Sequence, residues 1–396
     1  MALPTLAQES SPTIHLVQPG DTWTALALRY QLDENSLRAS QMNQQREPVI
    51  GQTITLPAAS QQMGQLVRVN EGGLLATAVR SQTSPWQIAL HNNLTTPHQP
   101  TLYQPLLIPG GSTPPRDLPI GLNNLELSQI PAHPGQALAY RATGATAVTT
   151  AHLNLTPFDT LSEDHHHIGL VGTGAFFGSG TPELTIQTTP NSPLWVQPWL
   201  FVDPDDWAYQ QLTLTGEAAQ IDAQSIQEER ERLFTLWATA TPAIHWHNSF
   251  QLPINDYLEL TSDYGARRSY NGGPYRSYHE GVDFAAFAGT PVTAPAAGTV
   301  VLAERLFVRG GAVIIDHGFG VYSGFYHMSA VHAAVGQQVQ PGDLLGEVGT
   351  TGLSTGNHLH WDLLVADTWV DAWAWWQQDM ACWLLAGLER PCSPQN

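Results

Sequence analysis

Gly356-Asn357-His358-Leu359-His360-Trp361-Asp362 is the stretch whose reading decides the architecture. Side chains of an extended chain alternate between faces, so the histidines of a His-x-His pair fall on one side. Leu359, Trp361 and Leu363 then point the other way, into packing. A second half-site lies upstream in His279-Glu280-Gly281-Val282-Asp283. His279 and Asp283 share a face whether this segment is extended or helical, and Gly281 between them adds no side chain to obstruct the space. Together His279, Asp283 and His360 make a nitrogen–oxygen set of the kind zinc accepts with one position left for water.

The surrounding sequence supplies the sheet. Pro291–Pro295, Gly298–Leu302, Ala312–Asp316, Val321–His327 and His358–Val365 read as strands, and His317-Gly318-Phe319-Gly320 as the turn of a hairpin. Little between residues 252 and 380 has a helical period, so an antiparallel β-domain with its site on one sheet face is expected there. Upstream, residues 223–240 carry Ile226, Leu233, Phe234 and Trp237 at helical spacing, a linker helix. Residues 118–214 hold short alternating runs bounded by Pro, Gly and Thr, a pattern that predicts an immunoglobulin-like β-sandwich.

Residues 13–57 read strand, helix, helix, strand. Ile14–Val17 is apolar, Gln18-Pro19-Gly20-Asp21 is a turn, and Trp23, Leu26, Ala27 and Tyr30 have helical spacing. Leu32–Asn43 is a second amphipathic stretch, and Thr53–Pro57 a short strand after Gly51-Gln52. Asp21 stands where an N-cap belongs, with Thr22 opening the helix. A weaker copy spans 66–109, in which Glu71-Gly72-Gly73 replaces the turn, Asn92-Asn93-Leu94 stands in for the central Asn, and Tyr103–Pro109 ends it. The whole is mainly β and multidomain: two small βααβ modules, a sandwich and the C-terminal sheet domain.

Composition narrows the partners. The 396 residues carry 34 acidic against 15 basic side chains, a net charge of −19, and every basic residue is arginine. Such a balance repels phosphate backbones and anionic lipid, so neither nucleic acid nor a membrane surface is expected. No apolar run approaches the roughly 18 residues of a membrane span. Cys382 and Cys392 close the tail as a disulfide or remain as two thiols. Met1–Pro12 has neither a basic nor an apolar export region, so the chain is cytoplasmic or a mature form whose signal was removed.

The first module, with Pro19-Gly20-Asp21-Thr22, a central Asn and Gly51-Gln52 before the last strand, resembles the lysin motif (LysM). That resemblance implies binding to N-acetylglucosamine-containing glycans, and the loss of the capping Asp puts glycan binding by the second copy in doubt. The C-terminal region carries Ser262-Asp263-Tyr264-Gly265, His279-x-x-x-Asp283, Gly289-Thr290-Pro291-Val292, Asp316-His317-Gly318, Tyr326-His327, Ser354-Thr355-Gly356 and His358-Leu359-His360 in order. In this it resembles the lysostaphin-type (LytM-like) zinc endopeptidases of peptidoglycan, over roughly a hundred residues. The resemblance implies one zinc ion held by His279, Asp283 and His360, with His327 and His358 as the catalytic imidazoles.

The implied chemistry fits the residues. His358 is placed to take the proton of water as general base, and His327 to donate to the tetrahedral oxyanion. The chain lacks His-Glu-x-x-His, so histidine replaces the glutamate base of that other class, and Glu280 points to the wrong face. The implied partner is peptidoglycan, its glycan strands at LysM and its peptides at the catalytic domain. The implied location is secreted, periplasmic or wall-associated, the signal having been removed. The competing reading is a catalytically latent wall-binding protein or an activator of other hydrolases. In that case Asn271, within a loop Arg267–Pro274 otherwise read as a groove rim, could mask the zinc as in latent relatives. A sugar-binding lectin would leave the ligand set unexplained. His15, His152, His245, His247 and His332 read as ordinary surface or core histidines, His165-His166-His167 as a solvated loop, and His317 as a hairpin stabiliser.

Overall fold

The computed structural model describes residues 12–41, 46–56, 61–69, 72–96, 100–110, 112–204, 206–215, 219–237 and 241–393. Asn43, Pro57, Glu71 and residues 238–240, to which the sequence reading gave roles, lie outside the described residues. The chain divides into two compact units. One comprises residues 1–126, 143–154 and 181–200, and the other residues 127–142, 155–180 and 201–396.

In the first unit, β1 (Thr13–Leu16), α1 (Trp23–Tyr30), α2 (Glu34–Ala39) and β2 (Thr53–Leu56) form the first module, with β1 antiparallel to β2. Val17, Trp23, Leu26, Tyr30, Ile54 and Leu56 close its core. The helix begins one residue later than the sequence suggests: Thr22 is the N-cap, its Oγ1 accepting from the N–H of Ala25 at 3.2 Å. Asp21, expected in that role, is buried instead, accepting from the Gln18 N–H at 2.8 Å and lying 2.7 Å from His15 Nε2. Its Oδ2 closes the turn before the helix, while the buried Oδ1 has no hydrogen bond among the described residues and faces Arg29 Nη1 at 3.6 Å.

The copy has the same order in β3 (Gly64–Arg68), α3 (Gly73–Arg80), α4 (Pro85–His91) and β4 (Pro105–Pro109). No side chain caps α3. Asn92 ties the end of α4 to β4, its Oδ1 accepting from the Leu107 N–H at 2.7 Å and its Nδ2 donating to the Leu107 carbonyl at 2.8 Å.

Eight strands follow: β5 (Leu122–Leu127), β6 (Ala137–Gly144), β7 (Thr150–Leu153), β8 (Thr156–Pro157), β9 (Asp159–Glu163), β10 (His166–Gly172), β11 (Glu183–Gln187) and β12 (Trp195–Pro198). In the first unit β11 pairs with β7 and β12, and in the second β9 pairs with β10. Residues 118–214 are thus shared between the two units. Alternation marks which face of a strand is apolar but not what covers it. Ala137, Ala139, Ile168 and Leu170 join the core of the C-terminal sheet. The histidine triplet is not a loop beyond His165, since His166 and His167 begin β10 and His167 is buried.

The second unit continues with β13 (Tyr209–Leu212), α5 (Ala223–Trp237), β14 (Glu259–Ser262), β15 (Arg267–Tyr270), β16 (Ser277–Tyr278) and β17 (Gly281–Ala285). Next come β18 (Pro291–Thr293), β19 (Gly298–Leu306), β20 (Gly310–Asp316), β21 (Val321–Met328), β22 (Ala330–Val331), β23 (Gln338–Val339), β24 (Leu344–Glu347), β25 (His358–Val365) and β26 (Thr368–Val370). Two helices, α6 (Ala372–Gln377) and α7 (Met380–Gly387), follow the sheet. The main sheet has the order β14-β17-β25-β21-β20-β19-β23, every pairing antiparallel.

The His-x-His strand β25 lies inside this sheet, and Leu359, Trp361 and Leu363 on its back are fully buried. Burying side chains of this size contributes roughly 1.5–3 kcal/mol each. The hairpin expected at His317–Gly320 joins β20 to β21, and Cys382 and Cys392 form a disulfide.

Candidate metal centre

The register of two strands assembles half of the centre. In the β17–β25 pair Asp283 stands opposite His360, and Ala285 opposite His358. Directly opposed residues of an antiparallel pair share a face, so the carboxylate and the imidazole become neighbours. His279 precedes β17, held by its N–H to the Ala266 carbonyl and by its own carbonyl accepting from the Gly265 N–H, each at 2.8 Å. Gly281 makes room: a Cβ there would lie 2.7 Å from His360 Nε2 and run into the Trp361 carbonyl.

Hydrogen bonds behind the rings decide which nitrogen faces inward. His279 Nδ1 lies 3.0 Å from the Asp263 carbonyl and 2.9 Å from Ser262 Oγ. A carbonyl only accepts, so Nδ1 carries the proton and Nε2 presents a lone pair. That Nε2 is 2.9 Å from His360 Nδ1 and 3.0 Å from Asp283 Oδ1, while His360 Nδ1 and Asp283 Oδ1 are 2.8 Å apart. Burial pushes the Asp283 carboxyl up, but the charge and hydrogen bonding of His279 and His360 outweigh it and hold the group well below its ordinary value. Burial also lowers His360 to about 3 against the pull of Asp283, so a neutral imidazole faces an ionised carboxylate.

His279 Nε2 and Asp283 Oδ1 are acceptors, and with its proton on Nε2 His360 Nδ1 makes a third; three such atoms at these separations repel one another unless something positive lies between them. One shared proton answers at most two of the three. A divalent cation answers all three, and two nitrogens with one oxygen suit zinc. The donor set therefore fits the ion.

Two more imidazoles stand beside the set. His358 Nδ1 lies 2.8 Å from the Gly356 carbonyl, so its Nε2, 3.7 Å from Asp283 Oδ1, is an acceptor. His327 reaches the same side through a β-bulge. Met328 pairs with Gly311 and Phe325 with Val313, so Tyr326 and His327 together oppose the single residue Ala312. Tyr326 stands opposite His360, and plain alternation would send His327 to the other face. The bulge, with His327 at φ +64°, turns it back, bringing its ring centroid to 4.8 Å from that of His358. His327 Nδ1 is 2.8 Å from the Thr351 carbonyl, leaving Nε2 as the lone pair. Burial, then the neighbouring His358 and His360, hold this imidazole well below its ordinary value.

A cleft of about 290 Å³ opens over Asp283, His327, His358 and His360, walled by Gln210 and Leu212 of β13, Tyr270 of β15 and the Leu353–Asn357 loop, with His279 buried behind it. The structure brings together His279, Asp283, His327, His358 and His360, all of which the sequence reading had singled out. It revises their surroundings. Arg267–Tyr270 is strand β15 rather than loop, because it pairs on both sides, with β13 and β16. Asn271 Oδ1 accepts from the Leu214 N–H at 2.9 Å, which engages the carbonyl considered as a mask. Glu280 turns away to Arg230 and to Arg309, 3.4 Å from it.

Arg268 escaped notice. Its Nη2 lies 3.2 Å from Asp283 Oδ2, so Oδ1 is left for the centre. The alternation of Arg267-Arg268-Ser269-Tyr270 could have marked it as a strand residue. Ser262 lies within the quoted Ser262-Asp263-Tyr264-Gly265 motif, and nothing in the sequence points to Gln210.

Residues 277–372 match peptidase family M23, and residues 15–57 match the LysM domain. The C-terminal region is similar to the DD-carboxypeptidase/endopeptidase Mpg of Neisseria meningitidis serogroup B, 41% identical over 106 residues, which are 27% of this chain and 24% of that protein. It is also similar to the peptidoglycan DD-endopeptidase ShyA of Vibrio cholerae serotype O1, 33% identical over 120 residues, 30% of this chain and 28% of that one. The chain spans about a quarter of the length of these curated relatives. Among solved structures it is similar to the antimicrobial peptidase lysostaphin from Staphylococcus simulans, 29% identical with a TM-score of 0.29, covering 35% of this chain and 55% of that chain.

Proposed function

We propose that the chain is a zinc-dependent endopeptidase that hydrolyses peptide bonds in peptidoglycan stem peptides or cross-links, held at the cell wall by its LysM region. The observation that carries this reading is the convergence of His279 Nε2, His360 Nδ1 and Asp283 Oδ1 within 3.0 Å of one another. The relatives support the substrate class: they are named as endopeptidases of the DD type, one of them of peptidoglycan. A secreted or wall-associated location follows from that substrate.

When bound, zinc supplies Lewis acidity that acidifies water and polarises the scissile carbonyl. The chain's residues do the rest. His279, His360 and Asp283 would hold the ion, with Arg268 on Oδ2 leaving Asp283 to offer Oδ1. His358, with its proton on Nδ1, takes the proton of the attacking water at Nε2 and passes it to the leaving amine nitrogen as the C–N bond breaks. His327 Nε2 is an acceptor too, and it orients that water by receiving its second O–H. Donation from His327 to the oxyanion requires a proton on Nε2, which burial and two neighbouring imidazoles oppose. The cleft wall of β13 and the Leu353–Asn357 loop positions the peptide.

The test is digestion of peptidoglycan sacculi of several cross-link types, with products identified by mass spectrometry. Cleavage within peptides that a chelator abolishes and zinc restores is the expected result. Zinc-loaded protein that leaves every wall type intact would refute the reading and favour a latent wall-binding protein.

A further inference from the structure

The two ligands on β17 and just before it are joined behind the centre by one polar network that reaches a strand outside the matched peptidase region. Gln210 of β13 stands opposite Arg268 of β15 in the parallel pairing of these strands. Its Oε1 accepts from Arg268 Nε at 3.1 Å, and its Nε2 donates to Ser262 Oγ at 2.9 Å. Arg268 Nη2 donates to Ser262 Oγ and to Asp283 Oδ2, both at 3.2 Å. Ser262 Oγ in turn lies 2.9 Å from His279 Nδ1. Gln210, Arg268 and Ser262 thus close a ring from which one arm holds Asp283 and another holds His279.

We infer that Gln210 is a positioning residue for the metal centre, acting through Arg268 on Asp283 and through Ser262 on His279. The inference rests on the zinc reading above. Free of the ring, the Arg268 guanidinium has no planar partner fixing its Nε, and the Asp283 carboxylate can rotate about its Cβ–Cγ bond. Ser262 Oγ likewise loses the amide donor that orients it toward His279. Outer hydrogen bonds of this kind are typically worth about 10- to 100-fold in metal affinity. The strand is placed to transmit the effect: the Asn271 N–H donates to the Leu212 carbonyl at 2.8 Å and the Arg267 N–H to the Ala208 carbonyl at 2.7 Å. None of the three ring residues lies within residues 277–372, so the family-matched segment carries the ligands but not this support.

The experiment measures zinc dissociation constants of the full chain by competition with a chromogenic chelator, with the visible spectrum of the cobalt(II)-substituted protein as a second readout. Gln210→Met, close in shape but without polar atoms, is expected to bind zinc about tenfold more weakly and to shift the cobalt bands. Gln210→Glu restores an acceptor for Arg268 and recovers most of the loss. Gln211→Met, on the outer face of the same strand, keeps the wild-type constant. Should Gln210→Met not fold, Gln210→Asn, too short to span both partners, carries the same expectation. A Gln210→Met protein with the wild-type constant and spectrum overturns the inference while leaving the zinc reading intact. A wild-type protein that takes up no zinc overturns the zinc reading, and the inference with it.

Discussion

Four imidazoles crowd one face of the sheet, and the groups behind them sort their roles. His279 Nε2 and His360 Nδ1 face Asp283 Oδ1, at 3.0 and 2.8 Å. His358 and His327 spend Nδ1 on the carbonyls of Gly356 and Thr351 and keep Nε2 for the cleft. The two pairs are therefore expected to fail differently. His360→Ala or Asp283→Ala removes a ligand, and zinc content after dialysis falls far below one ion per chain. His358→Ala leaves the three donors in place, keeps its zinc, and loses on the order of 10²–10⁴ in kcat as a general base is removed. Metal analysis and turnover on purified muropeptides, measured on the same preparations, separate the cases. Wild-type turnover in His358→Ala would remove that residue from proton transfer.

At the level of elements, the centre depends on how closely β25 approaches β17. The close approach belongs to Gly281, where a Cβ would meet the Trp361 carbonyl and come within 2.7 Å of His360 Nε2. Gly281→Ala is expected to force the strands apart at His360. Overpacking of this kind costs about 1–3 kcal/mol, read by denaturant unfolding, and weakened zinc binding should accompany it. A Gly281→Ala protein with unchanged stability and zinc affinity would show that the strands give way without cost.

This part of the site was legible in the sequence because the strand period is two. A His-x-His pair and an Asp four residues after a His fall on one face whatever their neighbours. His327 was legible only as a residue type within a quoted motif. Its orientation depends on a bulge whose extra residue shows only when β20 is laid beside β21. Asp21 was placed one residue off, because a carboxylate in a turn and one at a cap look alike until the first helical N–H is assigned. Gln210 had no local signal at all, since its role comes from pairing with a strand 58 residues away.

Across the second unit, stability depends on polar groups buried as neutral species within the apolar core. His317 is the clearest: it is fully buried, its Nδ1–H donates to the Ala297 carbonyl at 2.9 Å, and its Nε2 lies 3.0 Å from Ser323 Oγ. The hairpin-stabilising role read from sequence becomes a brace between the β20–β21 turn and the segment before β19. Burial lowers this imidazole to about 4. The unfolded chain binds a proton there near the ordinary value of about 6.5. Between those values the unfolded state holds more protons than the folded one, so the contribution is complete above about pH 6.5 and lost as pH falls toward 4. Asp371, pushed up to about 6 by burial, acts in the opposite sense: its contribution is present at low pH and lost as pH rises through 6. Asp362, pushed up to about 7 by burial, acts in the same sense as Asp371, so a single pH curve of the native protein mixes opposing slopes, and a difference between variants isolates His317. His317→Gln keeps hydrogen-bonding atoms but cannot titrate. Relative to it, the wild-type protein should lose about 2–3 kcal/mol of unfolding free energy between pH 7.5 and pH 4.5. Urea unfolding of both proteins at those two pH values measures the difference, and an unchanged gap would mean that His317 is protonated as readily inside the fold as outside it.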